Sequence, residues 1–277
     1  MCSTFIPSEI CTDFRILYDD PHLLIVYKPT KLLVHRGWGR DAIVLVDLLE
    51  EHCGFRVFPI HRLDRATSGL LLFARDKETT RRFNAMFTDK QVCKHYLALV
   101  RGVIPKAGWI DHPIPRNLEG PRVPAFSAYR RIAQGAHRSL VEVVPITGRT
   151  HQLRRHLKHI NHPILGDRRR GDGRQNRLHQ EQFGLERMGL HAHRLSFVHP
   201  FTQQKLSFTC PLPDDLARPI HYMGLCPHPS HWLQELEQHN LLWLQAQIPT
   251  AHPYRQTLQN IHPDHCFQVL TRDTTSY

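Results

Sequence analysis

The stretch His61-Arg62-Leu63-Asp64-Arg65-Ala66-Thr67-Ser68-Gly69, followed at once by Leu70-Leu71-Leu72-Phe73-Ala74, decides the reading of this chain. It sets one carboxylate, Asp64, between two arginines, behind a histidine and ahead of a small-residue turn that feeds an apolar strand. Neighbouring positive charge favours the ionised form of an acid. A permanently charged carboxylate in a loop suits a nucleophile or a stabiliser of positive charge, and suits a general acid poorly, since that role needs a proton near neutrality. The competing reading is a surface ion-pair cluster that only ties the loop down.

Working outward, Arg15–Tyr18 and Leu23–Tyr27 read as strands joined at the turn Asp19-Asp20-Pro21. Ala42–Cys53 has helical spacing and a glycine stop at Gly54. Asp76 is placed to cap a helix that carries Phe83, Met86 and Phe87 on one face. Val92–Val100 alternates, with Tyr96, Ala98 and Val100 on one side. Leu140–Val144 is a further strand, and Thr150–Ile160 a short helix with Leu153, Leu157 and Ile160 on its buried side. Leu195–Val198 and Lys205–Thr209 read as closing strands. Strands dominate without regular alternation with helices, which predicts an α+β domain with a largely antiparallel sheet.

The chain has 277 residues and a formal net charge of +11, with arginine runs such as Arg154-Arg155 and Arg168-Arg169-Arg170. Such a surface suits a polyanion, because cations that neutralise phosphates release counterions. There is no apolar run long enough to span a bilayer and no signal-peptide pattern, so a cytoplasmic, non-membrane protein is expected. The seven cysteines are scattered without a C-x-x-C pair, which argues against a disulfide framework or zinc ribbon. His252, His262, His265 and Cys266 lie near one another in sequence but lack finger spacing. No P-loop, dinucleotide fingerprint or coherent metal cluster is present, so neither metal nor cofactor is expected.

Four ordered blocks carry a resemblance. His61–Gly69 with its strand resembles the catalytic motif of the RluA-type pseudouridine synthases. Lys94-His95-Tyr96-Leu97-Ala98-Leu99-Val100-Arg101-Gly102 resembles that family's second motif. Thr147-Gly148-Arg149-Thr150-His151-Gln152-Leu153-Arg154, continued by His162-Pro163-Ile164-Leu165-Gly166-Asp167, resembles the third, and Leu190-His191-Ala192 the last. One departure is Ile146, where many relatives carry a lysine before Thr-Gly-Arg. The resemblance runs from about Ile16 to Leu212. It implies a pseudouridine synthase catalytic fold with a long mixed sheet and a central active cleft. Residues 1–14 read as an N-terminal extension, 15–218 as the catalytic domain and 219–277 as a partly helical C-terminal extension. With the first strand near Arg15, no room is left for a small N-terminal RNA-binding domain.

The implied reaction breaks the N1–C1′ bond of a uridine, turns the base and rejoins it through C5, without redox change, metal or cosubstrate. An ionised carboxylate below the sugar answers the positive character at C1′, and the resemblance assigns this to Asp64. It makes Arg154 the matching basic residue, which would orient such a carboxylate if paired with it. Tyr96 is the phenol that stacks on the uracil, and Leu190 the residue on the base's other face. A buried uridine must be extruded first. Arg62 is suited to fill the vacated stack, while His61 holds the loop. Arg149 and Arg168 are further RNA-contact candidates.

Leu33–Trp38 and Gly166–Arg177, with Phe183-Gly184-Leu185 beyond, resemble the branch that modifies tRNA in the acceptor-stem/T-arm region, at position 65. The chain is expected to act as a monomer on tRNA. The alternatives are ribosomal RNA, a tRNA anticodon stem-loop, or a catalytically silent RNA-binding protein on the same fold. A glycoside hydrolase is disfavoured, since no second carboxylate accompanies Asp64.

Overall fold

The computed structural model describes residues 12–36, 43–116 and 120–225. The histidine- and tryptophan-containing extension beyond residue 225, and Trp38 in the Leu33–Trp38 block, lie outside the described residues. The chain divides into two compact units between Asp89 and Lys90.

The first unit is built on two strands buried on both faces. β1 (Arg15–Asp19) pairs antiparallel with β2 (Leu23–Lys28). α1 (Leu45–Cys53) follows, then the two-residue β3 (Phe58–Pro59), β4 (Ser68–Ala74) and α2 (Lys77–Thr88). β2 and β3 both pair antiparallel with β4. Every residue of β2 and β4 is buried, which accounts for the unbroken apolar run after Gly69. Each fully buried Leu, Ile, Val or Phe in these strands contributes about 1.5–3 kcal/mol by leaving water.

The helices sit where their patterns predict. Asp76 accepts the N–H of Thr79 at 2.7 Å and caps α2, whose Phe83 and Met86 are buried. Gly54 closes α1 at φ 73° and donates to Glu50 O. The start of α1 is different: Val44 gives no side-chain cap. The N–H groups of Leu45 and Val46 donate instead to Leu33 O and Val34 O at 2.8 and 3.0 Å, so a neighbouring loop satisfies the exposed helix end.

The second unit is an antiparallel sheet with helices on its connections. Its strands are β5 (Cys93–Arg101), β6 (Ala107–Asp111), the short β7 (Ile114–Pro115) and β8 (Arg122–Val123), β9 (Phe126–Gln134) and β10 (Arg138–Pro145). After α3 (Gln152–His159) and α4 (Gly173–Phe183) come β11 (Leu190–Val198), β12 (Lys205–Thr209) and α5 (Asp214–Tyr222). The strand order is β12-β11-β5-β10-β9-β6, with β7 and β8 a separate hairpin. Every described pairing between named strands in either unit is antiparallel. The α+β class expected from the sequence is the class observed.

Two elements depart from the sequence reading. Gly166–Arg177, read as one glycine- and arginine-rich loop, is a turn only as far as Asp172. That residue accepts the N–H groups of Arg174 and Gln175 and starts α4. α5 crosses the 218/219 boundary drawn from the sequence. Its Leu216 and Ile220, with Met223 and Leu225 beyond, pack with Leu97, Leu99 and Leu140. The apolar face of α5 overrides the proline inside it, Pro219.

Candidate active site

The Asp64 loop is pinned from three directions within the first unit. His61 Nε2 accepts the N–H of Leu72 at 3.2 Å, and Ile60 N donates to Leu72 O at 3.0 Å, so the loop enters as an extension of the β4 ladder. Thr67 N closes a turn on Asp64 O at 3.0 Å. Thr67 and Ser68 are buried, and Gly69 takes φ 117°, a conformation that side-chain-bearing residues rarely adopt. Leu63 is buried, Asp64 half-buried, and Arg62 and Arg65 exposed.

The third anchor is Lys28, to which the sequence reading gave no role. It is fully buried, and its ammonium donates to Pro29 O and Leu32 O at 2.7 Å and to Arg65 O at 3.3 Å. Thr30 Oγ1 donates to Ala66 O at 3.1 Å, and Arg65 Nε to Lys31 O at 3.0 Å. The segment Lys28–Leu32 therefore holds the two peptides that follow Asp64. A lysine closing an apolar strand just before a proline was the only signal of this in the sequence. Arg62 lies near His35: burial, and then the Arg62 charge, lower the imidazole pKa of His35. Part of the Leu33–Trp38 block thus sits beside the arginine proposed for stack filling.

In the second unit, Tyr96 and Leu190 share one face of the β5–β11 pair. Tyr96 is opposite Ala192, and Leu190 opposite Ala98, so the two large side chains are diagonal neighbours with alanines between. Both are buried. The other face of β5 carries a charged chain. His95 Nδ1 meets Glu142 Oε1 at 2.9 Å, Arg130 Nη2 donates to Glu142 Oε2 at 2.8 Å, and Cys93 Sγ lies 3.3 Å from His95 Nε2. Burial opposes the charge on His95, but the Cys93 sulfur and the Glu142 carboxylate outweigh it and hold the imidazole protonated. His191, between Leu190 and Ala192, is a fold residue: it donates to Cys210 O at 3.1 Å.

The third motif organises itself around Gln152. Its Oε1 accepts from Thr147 Oγ1 at 2.7 Å and from Arg149 N at 3.0 Å. Its Nε2 donates to Phe126 O and Ser127 Oγ, each at 2.9 Å. Ser127 Oγ lies 3.0 Å from His156 Nδ1, and His156 Nε2 lies 3.0 Å from His112 O. A carbonyl accepts only, so His156 carries its proton on Nε2. Burial lowers its pKa to about 4 and keeps it neutral. This network delays the start of α3 to Gln152, with His151 left-handed at φ 55°.

Arg154 is buried on α3 and makes two parallel bonds to Asp167: Nε to Oδ2 at 2.7 Å and Nη2 to Oδ1 at 2.8 Å. This partner was not anticipated from the sequence, which suggested only Asp64. Asp167 Oδ1 also accepts the N–H groups of Arg169 and Arg170 at 3.0 and 3.1 Å. Burial would raise the Asp167 pKa, but Arg154 and these amides lower it below the usual carboxylate value. Arg168 and Arg149 are exposed. Lys94, next to the Cys93–His95 pair, has its pKa lowered to about 8 by burial, and its ammonium would lie 3.8 Å from a Cβ placed on Gly148.

Among the described residues, no group of three or more His, Cys, Asp or Glu side chains is arranged to hold a metal ion. No helix among them is long and apolar enough to cross a membrane. The candidate zinc ligands near His262 lie outside the described residues.

The family model for RNA pseudouridylate synthase matches residues 22–159. A Pasteurella multocida protein named tRNA pseudouridine synthase C is 42% identical over 216 residues, covering 70% of this chain and 89% of that protein. The Vibrio cholerae protein of the same name is 39% identical over 215 residues, covering 69% and 88%. Among solved structures, human RNA Pseudouridylate Synthase Domain Containing 4 superposes with a TM-score of 0.63 at 29% identity, covering 76% of this chain and 93% of the human one. With a catalytic-motif loop braced around Asp64, a third motif folded about Gln152 and Arg154, and relatives this similar over nearly their whole length, the chain belongs to the RluA-type RNA pseudouridylate synthase family.

Proposed function

We propose that this chain isomerises one uridine of tRNA to pseudouridine, in the acceptor-stem/T-arm region at position 65. The observation that carries the tRNA assignment is the likeness to proteins named tRNA pseudouridine synthase C across close to nine-tenths of their length. The position rests on the resemblance of Leu33–Trp38 and Gly166–Arg177 to one branch of the family.

In this reading Asp64 is the carboxylate that acts at the ribose when the N1–C1′ bond breaks. Its loop is braced by Lys28, Thr30 and His61, which favours a carboxylate already oriented before substrate arrives. Tyr96 stacks on the uracil, and Leu190, its diagonal neighbour, packs the base as well. Arg154 is the basic residue of this reading, and its planar fork is held by Asp167. Arg62, exposed at the loop surface, fills the space left by the extruded uridine. Arg149 and Arg168 contact the RNA backbone. The protein acts as a monomer in the cytoplasm, without metal or cofactor.

The test is to incubate the purified protein with separate unmodified tRNA and ribosomal RNA transcripts and map pseudouridine in each. One new pseudouridine in the acceptor-stem/T-arm region of tRNA is expected. Modification of ribosomal RNA alone overturns the tRNA assignment, and modification of neither overturns the activity.

A further inference from the structure

Several of the described arginines are paired with carboxylates: Arg130 with Glu142, Arg154 with Asp167, Arg187 with Asp215, Arg75 with Asp19 and, at the surface, Arg81 with Glu78. Others, such as Arg65 and Arg131, donate to main-chain carbonyls. Arg122, Arg149 and Arg155 are of this second kind. Each donates to the main-chain carbonyl of a proline: Arg122 Nη1 to Pro113 O at 2.8 Å, Arg155 Nη1 to Pro115 O at 3.1 Å, and Arg149 Nε to Pro124 O at 3.2 Å. Among the described residues, none of the three forms an ion pair with a carboxylate. A neutral carbonyl fixes the direction of a guanidinium without cancelling its charge.

These arginines share a proline-rich setting. Pro113, Pro115, Pro121 and Pro124 lie on and beside the paired strands β7 and β8, where each fixes its own φ. This pair is fastened to α3 by His156 Nε2 donating to His112 O at 3.0 Å and by the stacked rings of His112 and His159, 3.6 Å apart and 15° from parallel. Arg116 and Lys158 are exposed on the same two elements. Among the described residues, the large exposed apolar side chains, Val103, Trp109 and Tyr222, belong to neither β7, β8 nor α3. The described part of the face therefore offers oriented positive charge rather than the apolar side chains that an interfacial membrane contact inserts.

We propose that the β7–β8 hairpin and α3 form a preset phosphate-binding face for the RNA substrate, with Arg122, Arg149 and Arg155 as its anchors. This rests on the RNA-modifying reading above and extends it to a surface that the family resemblance left unassigned apart from Arg149. A guanidinium tethered through one N–H keeps other donors for bidentate contact with a phosphate. Because the tether is already made, less side-chain freedom is lost when RNA binds.

The experiment measures affinity for an unmodified tRNA transcript by fluorescence anisotropy, across a salt series from about 50 to 200 mM, without reference to turnover. The triple variant Arg122→Gln, Arg149→Gln, Arg155→Gln is compared with the triple Lys variant, each checked for an unchanged melting temperature. If the face binds phosphates, the Gln variant lowers the slope of log K against log salt by about two or more, and binds at least about tenfold more weakly at low salt. The Lys variant keeps the slope, since it keeps the charge. An unchanged slope in the Gln variant overturns the proposal. Equal loss in the Lys variant overturns it too, because the arginines then serve only as hairpin braces. Pseudouridine formation by the wild-type protein is scored separately: tRNA binding with this slope but no isomerisation refutes the activity assignment and leaves the phosphate face standing.

Discussion

Arg154 and Asp167 meet through two parallel hydrogen bonds, Nε to Oδ2 at 2.7 Å and Nη2 to Oδ1 at 2.8 Å, with both side chains buried. The same carboxylate takes the N–H groups of Arg169 and Arg170. One buried acid thus fixes the arginine that the family resemblance makes functional and shapes the first turn of the arginine-rich segment. Removing the charge from one partner of a buried pair strands the other. Asp167→Asn is therefore expected to slow single-turnover pseudouridine formation by about 10- to 100-fold, the equivalent of about 1.4–2.7 kcal/mol. Combined with Arg154→Ala, it should add little further loss, because the two act as a unit. Single-turnover rates of the two single variants and the double variant check this, and full additivity refutes it.

Asp64→Asn should abolish pseudouridine formation while tRNA affinity stays within a few-fold of wild type. The amide keeps the shape but not the charge, and phosphate contacts come from dispersed arginines. A near-normal single-turnover rate for this variant would remove Asp64 from the chemistry.

Lys28→Met should cost stability and activity together. The ammonium satisfies three buried or part-buried carbonyls, those of Pro29, Leu32 and Arg65. Leaving a buried acceptor unpaired costs about 1–3 kcal/mol, so a loss of about 3 kcal/mol is expected in urea denaturation. The modification rate, measured well below the melting point, should also fall, because the Asp64 loop loses its anchor. Loss of stability with an unchanged rate would show that Lys28 braces the fold alone.

Gly166→Ala should be strongly destabilising. Gly166 has φ 77°, and a Cβ there would lie 2.0 Å from Arg187 O, a main-chain atom that cannot swing away. The turn that carries Asp167 would have to move. A fall of more than about 3 kcal/mol in unfolding free energy is expected, in the range typical of backbone strain combined with a steric clash. A variant with wild-type stability would mean that this turn is free to relax.

Stability should fall on mild acidification. His156, His191 and His193 are held neutral by burial, with pKa values lowered to about 4, 3 and 4. Below about pH 6.5, the ordinary histidine value, the unfolded chain takes up protons that the folded chain refuses. Stability is then lost progressively as the pH drops toward 4. His95 has the opposite sign. Its raised pKa makes its contribution full below about pH 6.5, with loss as the pH rises into the alkaline range. Melting temperatures should therefore peak near neutrality. His156→Gln, which can still donate to His112 O, should flatten the acid limb; an unchanged limb would exclude His156 as a contributor.

Much of the framework was legible because it is local. The Asp76 cap, the Gly54 stop and the apolar run of β4 depend on a few adjacent residues, and the structure places each where its pattern pointed. β9 was not legible: in Phe126–Gln134 two arginines interrupt the alternation, and Arg130 is acceptable there only because Glu142 faces it from β10. α4 and α5 were obscured by glycine, arginine and proline, whose local preferences tertiary packing overrode.

The sequence by itself determined the family and supplied the candidate site residues, since Asp64, Tyr96, Arg154 and Leu190 each stand in a short contiguous motif. Only the tertiary structure decided who holds them. Lys28 reaches Arg65 O across 37 positions, Gln152 ties Thr147 to Phe126, and Asp167 grips Arg154 from 13 positions along the chain. The physical reason is that a buried charge or amide must find its partners wherever the folded backbone presents them. A carbonyl or a carboxylate brought near by folding leaves no mark in the local order of residues.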